Sequence, residues 1–252
     1  MTDTRSYGRI RVEAGSKRVR VMLGGEAVAD STRVKLVWEK PYYPTYYFPE
    51  DDVRLDLLVD SGDTDRSPSR GEAAVMAAQV GDRDVADAAR WYRASKIEEL
   101  SGYLTFRWAA MDAWFEEDEE VYVHARDPYT RIDILPSSRH VEVHVGGTKV
   151  ADSANPRLLF ETGLPVRYYL PKTDVRMDLL TPSELHTECP YKGSARYYHV
   201  TIDGTTYENL VWWYPFPVEE SSRIAGLVCF YDEKVDVVVD GIEMKRPQTV
   251  FS

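Results

Sequence analysis

Cysteine is nearly absent from this chain: Cys189 and Cys229 are the only two. Two thiols cannot build a disulfide framework or a four-thiolate zinc site. The expectation is a reducing, cytoplasmic setting with no structural metal and no cofactor. Histidine is also scarce. Among His124, His140, His144, His186 and His199 only His140 and His144 stand four apart, within an alternating strand pattern, and no His-Glu-x-x-His spacing occurs, so no standard zinc set can be read from them. No apolar run is long enough for a membrane-spanning helix, and the N-terminal stretch lacks the apolar segment of a secretory leader. Positive charge is in deficit, with a formal net charge of −11. That argues against nucleic acid or an anionic membrane as a partner, since both need a basic face.

What is present is aromatic and alternating. With 43% hydrophobic residues the chain can build a core, and long disorder is not expected. Its 17 Tyr and 6 Trp favour strands and aromatic-lined pockets.

The sequence repeats itself. Residues 19–58 and 141–180, at a constant offset of 122, are identical at nineteen of forty positions. Segments that merely share composition do not agree to this extent, so the chain is internally duplicated. The register continues through Ser67-Pro68-Ser69-Arg70-Gly71 on Cys189-Pro190-Tyr191-Lys192-Gly193 and Trp91-Tyr92 on Trp213-Tyr214. After two extra residues, 102–116 falls on 226–240. The copies run 9–118 and 131–240, joined by a connector at 119–130. Each is domain-sized, so the expectation is two similar domains packed like a fused dimer. A homo-oligomer stays open, although this internal pseudo-dimer would suffice.

Each copy reads as a mainly antiparallel β domain with one short helix. Val141, Val143 and Val145 alternate with polar residues up to Gly146-Gly147, a hairpin signal repeated at Gly24-Gly25. Residues 158–161, 166–170, 174–180 and 196–202 read as extended, with Asp203-Gly204 as a turn. Residues 227–232 and 235–239 read as a late hairpin. Helices are expected from Pro217 onward and over 84–100.

In the second copy, Gly147, Ala151-Asp152-Ser153, Glu161, Tyr169-Leu170-Pro171, Asp174-Val175 and Thr187 lead into Cys189-Pro190-Tyr191-Lys192-Gly193. Ala195, Tyr197-Tyr198, Trp213-Tyr214 and Phe230-Tyr231 follow. In these residues the copy resembles the bacterial domain of unknown function 427, and the Cys-Pro-Tyr-Lys-Gly string is the specific part. The first copy resembles the same family through Tyr47-Phe48-Pro49, Asp52-Val53 and the segment 102–108, with Ser67 and Arg70 where Cys and Lys belong. The resemblance implies a β-tent fold similar to methionine sulfoxide reductase B and Mss4-like proteins. Those proteins bind zinc through two Cys-x-x-Cys pairs, which this chain lacks, so the metal does not carry over. Some classifications also label the family a nucleotidyltransferase.

The candidate site lies in the second copy. Lys192 and Cys189 sit on a turn where a thiol and an amine could face a pocket; copy one keeps Pro68 and Gly71 and loses both. Glu161, repeated as Glu39, ends an apolar strand and either serves a ligand or pairs with the duplicated Arg176 and Arg54. His199 is a candidate base, as is His186. Tyr169, Tyr191 and Tyr197 are candidate ligand-binding walls. Asp174 and Asp178, repeated as Asp52 and Asp56, would have to converge on magnesium if the chemistry were nucleotidyl transfer. The leading expectation is a protein that binds an unknown small molecule, with enzymatic chemistry on Lys192, Cys189, Glu161 and His199 left open. The alternatives are a non-catalytic β scaffold for protein interaction and, more weakly, a nucleotidyltransferase. The lysine is expected to serve the ligand and not the fold.

Overall fold

The computed structural model describes residues 10–249; the stretch read for a leader and the boundary at residue 9 lie outside them. The described residues form two units that divide between Asp127 and Pro128. Each is mainly β and antiparallel, with no barrel.

In the N-terminal unit the strands are β1 (Arg11–Ala14), β2 (Val19–Leu23), β3 (Glu26–Ser31), β4 (Lys35–Trp38), β5 (Thr45–Pro49), β6 (Leu58–Ser67), β7 (Gly71–Val80), β8 (Arg83–Tyr92), β9 (Tyr103–Phe106), β10 (Ala113–Glu116) and β11 (Glu119–Glu120). Those of the C-terminal unit are β12 (Ile132–Pro136), β13 (Val141–Val145), β14 (Thr148–Ser153), β15 (Arg157–Glu161), β16 (Arg167–Leu170), β17 (Leu180–Cys189), β18 (Gly193–Ile202), β19 (Thr205–Trp213), β20 (Val228–Phe230), β21 (Asp236–Val239) and β22 (Ile242–Glu243). A seven-stranded sheet runs β1-β4-β5-β9-β8-β7-β6 in one unit and β12-β15-β16-β20-β19-β18-β17 in the other. The four-stranded sheets run β3-β2-β10-β11 and β14-β13-β21-β22. Strand for strand the two orders coincide, so the duplication extends from sequence to topology.

The alternation that marks β13 is visible as burial. Val141, Val143 and Val145 are buried and the residues between them half-buried. Gly146 and Gly147, at φ 56° and 82°, make the turn into β14 in a backbone region glycine enters without strain. The alternating valines meet Leu170, Val200, Val211, Val228 and Val239 in a core between the two sheets. A smaller core lies on the other face of the seven-stranded sheet, built from Leu159, Tyr169, Ala195, Tyr197, Trp212, Tyr214 and Ile224. Its counterpart in the N-terminal unit contains Val37, Tyr47, Ala73, Tyr92 and Leu100.

Several sequence expectations are corrected. The helix expected over 84–100 is strand β8 followed by one 3-10 turn at Glu98–Leu100. The segment from Pro217 does form a helical piece, a 3-10 run over Glu219–Ile224. The extended run at 174–180 is a pair of 3-10 turns, Lys172–Asp174 and Met177–Leu179, before β17 begins. The two strands of the late hairpin separate: β20 joins β16 and β19, whereas β21 joins β13. The copies also slip by one residue there. Phe106 and Phe230 occupy the same place, but Glu116 opposite Val19 corresponds to Val239 opposite Val141. Glu116 is buried and accepts hydrogen bonds from Tyr46 at 2.5 Å and Lys17 at 2.6 Å. The connector is likewise folded: Trp38 donates to Asp127 at 3.1 Å and Tyr43 stacks on His124. Among the described residues no helix is long and apolar enough to cross a membrane.

Leu170 is fully buried between the sheets. Leu170→Ala should cost about 2–5 kcal/mol, the usual penalty for a core cavity, read as a lower urea midpoint with unchanged slope.

Candidate functional site

The turn between β17 and β18 is fixed by backbone. Lys192 N–H donates to the Cys189 carbonyl at 3.3 Å, and Gly193 takes φ +92°. A Cβ on Gly193 would lie 3.3 Å from the Phe216 carbonyl oxygen and 3.5 Å from the Val218 nitrogen. The segment around Pro217 clamps the turn from outside: Val218 N–H donates to the Lys192 carbonyl at 3.2 Å and the Ser221 hydroxyl to the Tyr191 carbonyl at 2.8 Å. Gly71 repeats the +92° conformation in the N-terminal unit, which explains why glycine stands at this position in both copies.

Held this way, Lys192 reaches Glu161 at the end of β15. Nζ lies 2.5 Å from Oε2, and the two side chains are only 11% and 9% exposed. The sequence places them 31 residues apart; the sheet order brings them together. The N-terminal unit builds the same pair from Arg70 and Glu39 at 2.6 Å. There Tyr47 joins it, donating to Glu39 at 2.7 Å and accepting from Arg70 at 2.5 Å. The duplicated ion pair therefore exists, but its cation is Lys192 or Arg70. Arg176 and Arg54 instead pair with Asp178 and Asp56.

Burial raises the phenol pKa of both Tyr169 and Tyr214 well above its usual value, and the charges of Glu161 and Cys189 push the same way. Lys192, Glu161, Cys189 and Tyr169 thus share one end of the sheet, and Tyr214, named in the sequence only with Trp213 as a repeated pair, joins them. Tyr169 accepts a hydrogen bond from the Trp212 indole at 3.0 Å. Tyr197 meets the Thr187 hydroxyl at 2.8 Å. These rings belong to the smaller core beneath the turn.

Other candidates go elsewhere. His199 lies farther along β18, where Nδ1 accepts from the Asn209 backbone at 3.1 Å. His186 is exposed, between the Glu184 carbonyl and Arg196. Asp174 accepts from Ser153 at 2.7 Å and Asp178 from Arg176, so the two carboxylates serve separate partners. His140, Glu142 and Asp152 gather ligand-type atoms. However, Lys149 already sits on Asp152, and His140 pairs with Asp152 at 2.7 Å as Arg18 pairs with Asp30 in the other unit.

One cluster went unread. Arg167 is buried, makes a two-pronged contact with Glu233 at 2.9 and 2.6 Å, and stands 3.6 Å from Asp232. Its sequence signal was a charge inside the apolar run 166–170. Burial pushes the Asp232 carboxyl up to about 7, against the opposing pull of Arg167. Glu233 is held down at about 2, the hydrogen bonds from Arg167 and Thr249 outweighing the cost of burial.

A family model described as a domain of unknown function (DUF427) matches the chain twice, over residues 11–117 and 133–241, and carries a short name that refers to NTP transfer. No curated protein matches the chain.

The ion pair reverses the expectation that Lys192 is dispensable to the fold. Lys192→Ala strands a nearly buried carboxylate and should cost about 3 kcal/mol, whereas Lys192→Arg, which reproduces the cation of the N-terminal unit, should change the urea midpoint little. Gly193→Val should destabilise more than Lys192→Arg, because the side chain meets strained backbone and the clamp at once.

Asp232 and Glu233 predict opposite pH dependences. Between about 3.8 and 7 the folded chain keeps a proton on Asp232 that the unfolded chain has released. Its contribution is therefore greatest at low pH and lost as pH rises through 7. Glu233 stabilises above about 4.5 and loses that contribution as pH falls toward 2. Asp232→Asn should remove a decline on the order of 1 kcal/mol per pH unit between pH 4 and 7, measured by urea unfolding across that range.

Proposed function

The chain belongs to the DUF427 family as two tandem copies, and from that premise we propose that its C-terminal copy binds a small molecule at the Cys189–Gly193 turn. Lys192 and Glu161 receive the ligand's polar group, and the aromatic core beneath, with Tyr169 and Tyr197, keeps that end of the sheet rigid. The observation that carries this reading is the contrast between the two ion pairs. Arg70 and Ser67 hold the geometry with groups that do not exchange protons near neutrality. Lys192 and Cys189 place there an amine and a thiol, the side-chain types that serve as nucleophiles. Cys189 is a free thiol and half-buried.

The scaffold reading has one observation in its favour: Lys192 has a full structural partner, and the equivalent pair persists where the motif is degenerate. Nucleotidyl transfer has the family model's short name, but Asp174 and Asp178 are committed to different partners.

The test is a thermal-shift screen of small carboxylates and carbonyl compounds on the wild type and on Lys192→Arg. Compounds that raise the wild-type melting temperature should have no effect on the variant, whose own melting temperature stays close to the wild type's. Equal shifts in both proteins would move the site elsewhere and favour the scaffold.

A further inference from the structure

The C-terminal unit contains a cavity of about 170 Å³ beside Tyr168, Asp232, Val235, Val237 and Met244. It opens at the margin of the core between the sheets, to which Tyr168, Val235 and Val237 contribute, and so lies on a different face from the Lys192 turn. The matching place in the N-terminal unit holds larger side chains. Tyr46 is the counterpart of Tyr168, and Trp114, opposite Val21, is the counterpart of Val237, opposite Val143. Trp114 stacks on Trp108 at 4.4 Å and lies 6.1 Å from Tyr46. The cavity is thus a departure from the shared fold, made where one copy replaces tryptophan with valine.

Its walls are mostly apolar, with one buried acid. The Arg167 guanidinium gives its short hydrogen bonds to Glu233 and stays 3.6 Å from Asp232. One cation therefore faces two carboxyl groups. The other groups acting on Asp232 from neighbouring elements are Tyr168 on β16 and Cys229 on β20. At the rim, Arg246 is paired with Asp236 at 2.5 Å and Lys245 contributes to the lining. Once Asp232 ionises, a second cation on it would balance the charge. A void of roughly 150 Å³ accepts a benzene-sized guest.

We propose that this cavity is a second ligand site, which takes a small primary amine with a compact apolar body and holds its ammonium on the Asp232 carboxylate. Because burial holds the proton on Asp232 up to about pH 7, an amine that stays protonated binds more tightly as pH rises through that value and Asp232 ionises.

The experiment is titration calorimetry of the full chain with benzylamine, benzyl alcohol and benzoate at pH 6 and pH 8. Benzylamine should bind best, and several-fold more tightly at pH 8. Asp232→Asn should weaken it about tenfold or more, the loss of one charge-assisted contact. Val237→Trp, which restores the residue of the N-terminal unit, should abolish binding with the fold intact. Lys192→Arg should leave it unchanged, which separates this site from the turn. Benzyl alcohol or benzoate binding as tightly as benzylamine would overturn the proposal. So would benzylamine binding that ignores pH and Val237→Trp, or no benzylamine binding at millimolar concentration. The pH and Val237→Trp comparisons stand even if Asp232→Asn fails to fold.

Discussion

A cation on the turn after a long hairpin strand has to meet the carboxylate that ends the strand next to the opposite edge of the same sheet. Both side chains are about nine-tenths removed from solvent, and a charge so placed is costly unless it is paired. That requirement ties the β17–β18 hairpin to β15 and aligns the seven-stranded sheet over its smaller aromatic core. It also sets the backbone of the turn, where Gly193 admits the Phe216–Val218 segment that a side chain would hold off. The same requirement met with arginine in the N-terminal unit shows that the architecture needs a cation, whereas the choice of lysine is free to serve chemistry.

Duplication makes each unit a control for the other. Where the two agree, as in Glu39 and Glu161 or Gly71 and Gly193, the common feature is explained by the fold. Where they part, one copy has been released from a structural demand. Ser67 and Arg70 against Cys189 and Lys192 is one such divergence. Trp114 against Val237 is another, and it exchanges a packed ring stack for a cavity beside a buried acid. In both places the C-terminal copy has the smaller or more reactive side chains, where the N-terminal copy has serine, arginine and tryptophan.

Much of the fold was legible because period-two burial survives in the sequence: the valines of β13, the paired glycines after it and the 122-residue offset all translate directly into strands, turns and topology. The failures share a cause. Ala88, Trp91 and Tyr92 have spacings that suit a helix, but β8 lies inside the sheet and carries an irregularity, which blurs its alternation. Residues 227–239 look like a hairpin because sequence shows two extended runs and not the sheets that claim them. The site was half legible. Cys189, Lys192, Glu161 and Tyr169 were grouped in one expected site together with His199, but the ion pair that joins Lys192 to Glu161 depends on strand order. Arg167, Asp232 and Glu233 went unread because a buried charge triad has no spacing rule.

The central claim is that Lys192 and Glu161 form one coupled pair that the fold relies on. A double-mutant cycle, with Lys192→Ala, Glu161→Ala and the double variant compared by urea unfolding, tests it most directly. The account predicts that the double variant is less destabilised than the sum of the two single ones, by about 1–3 kcal/mol. Additivity to within about 0.5 kcal/mol would contradict it.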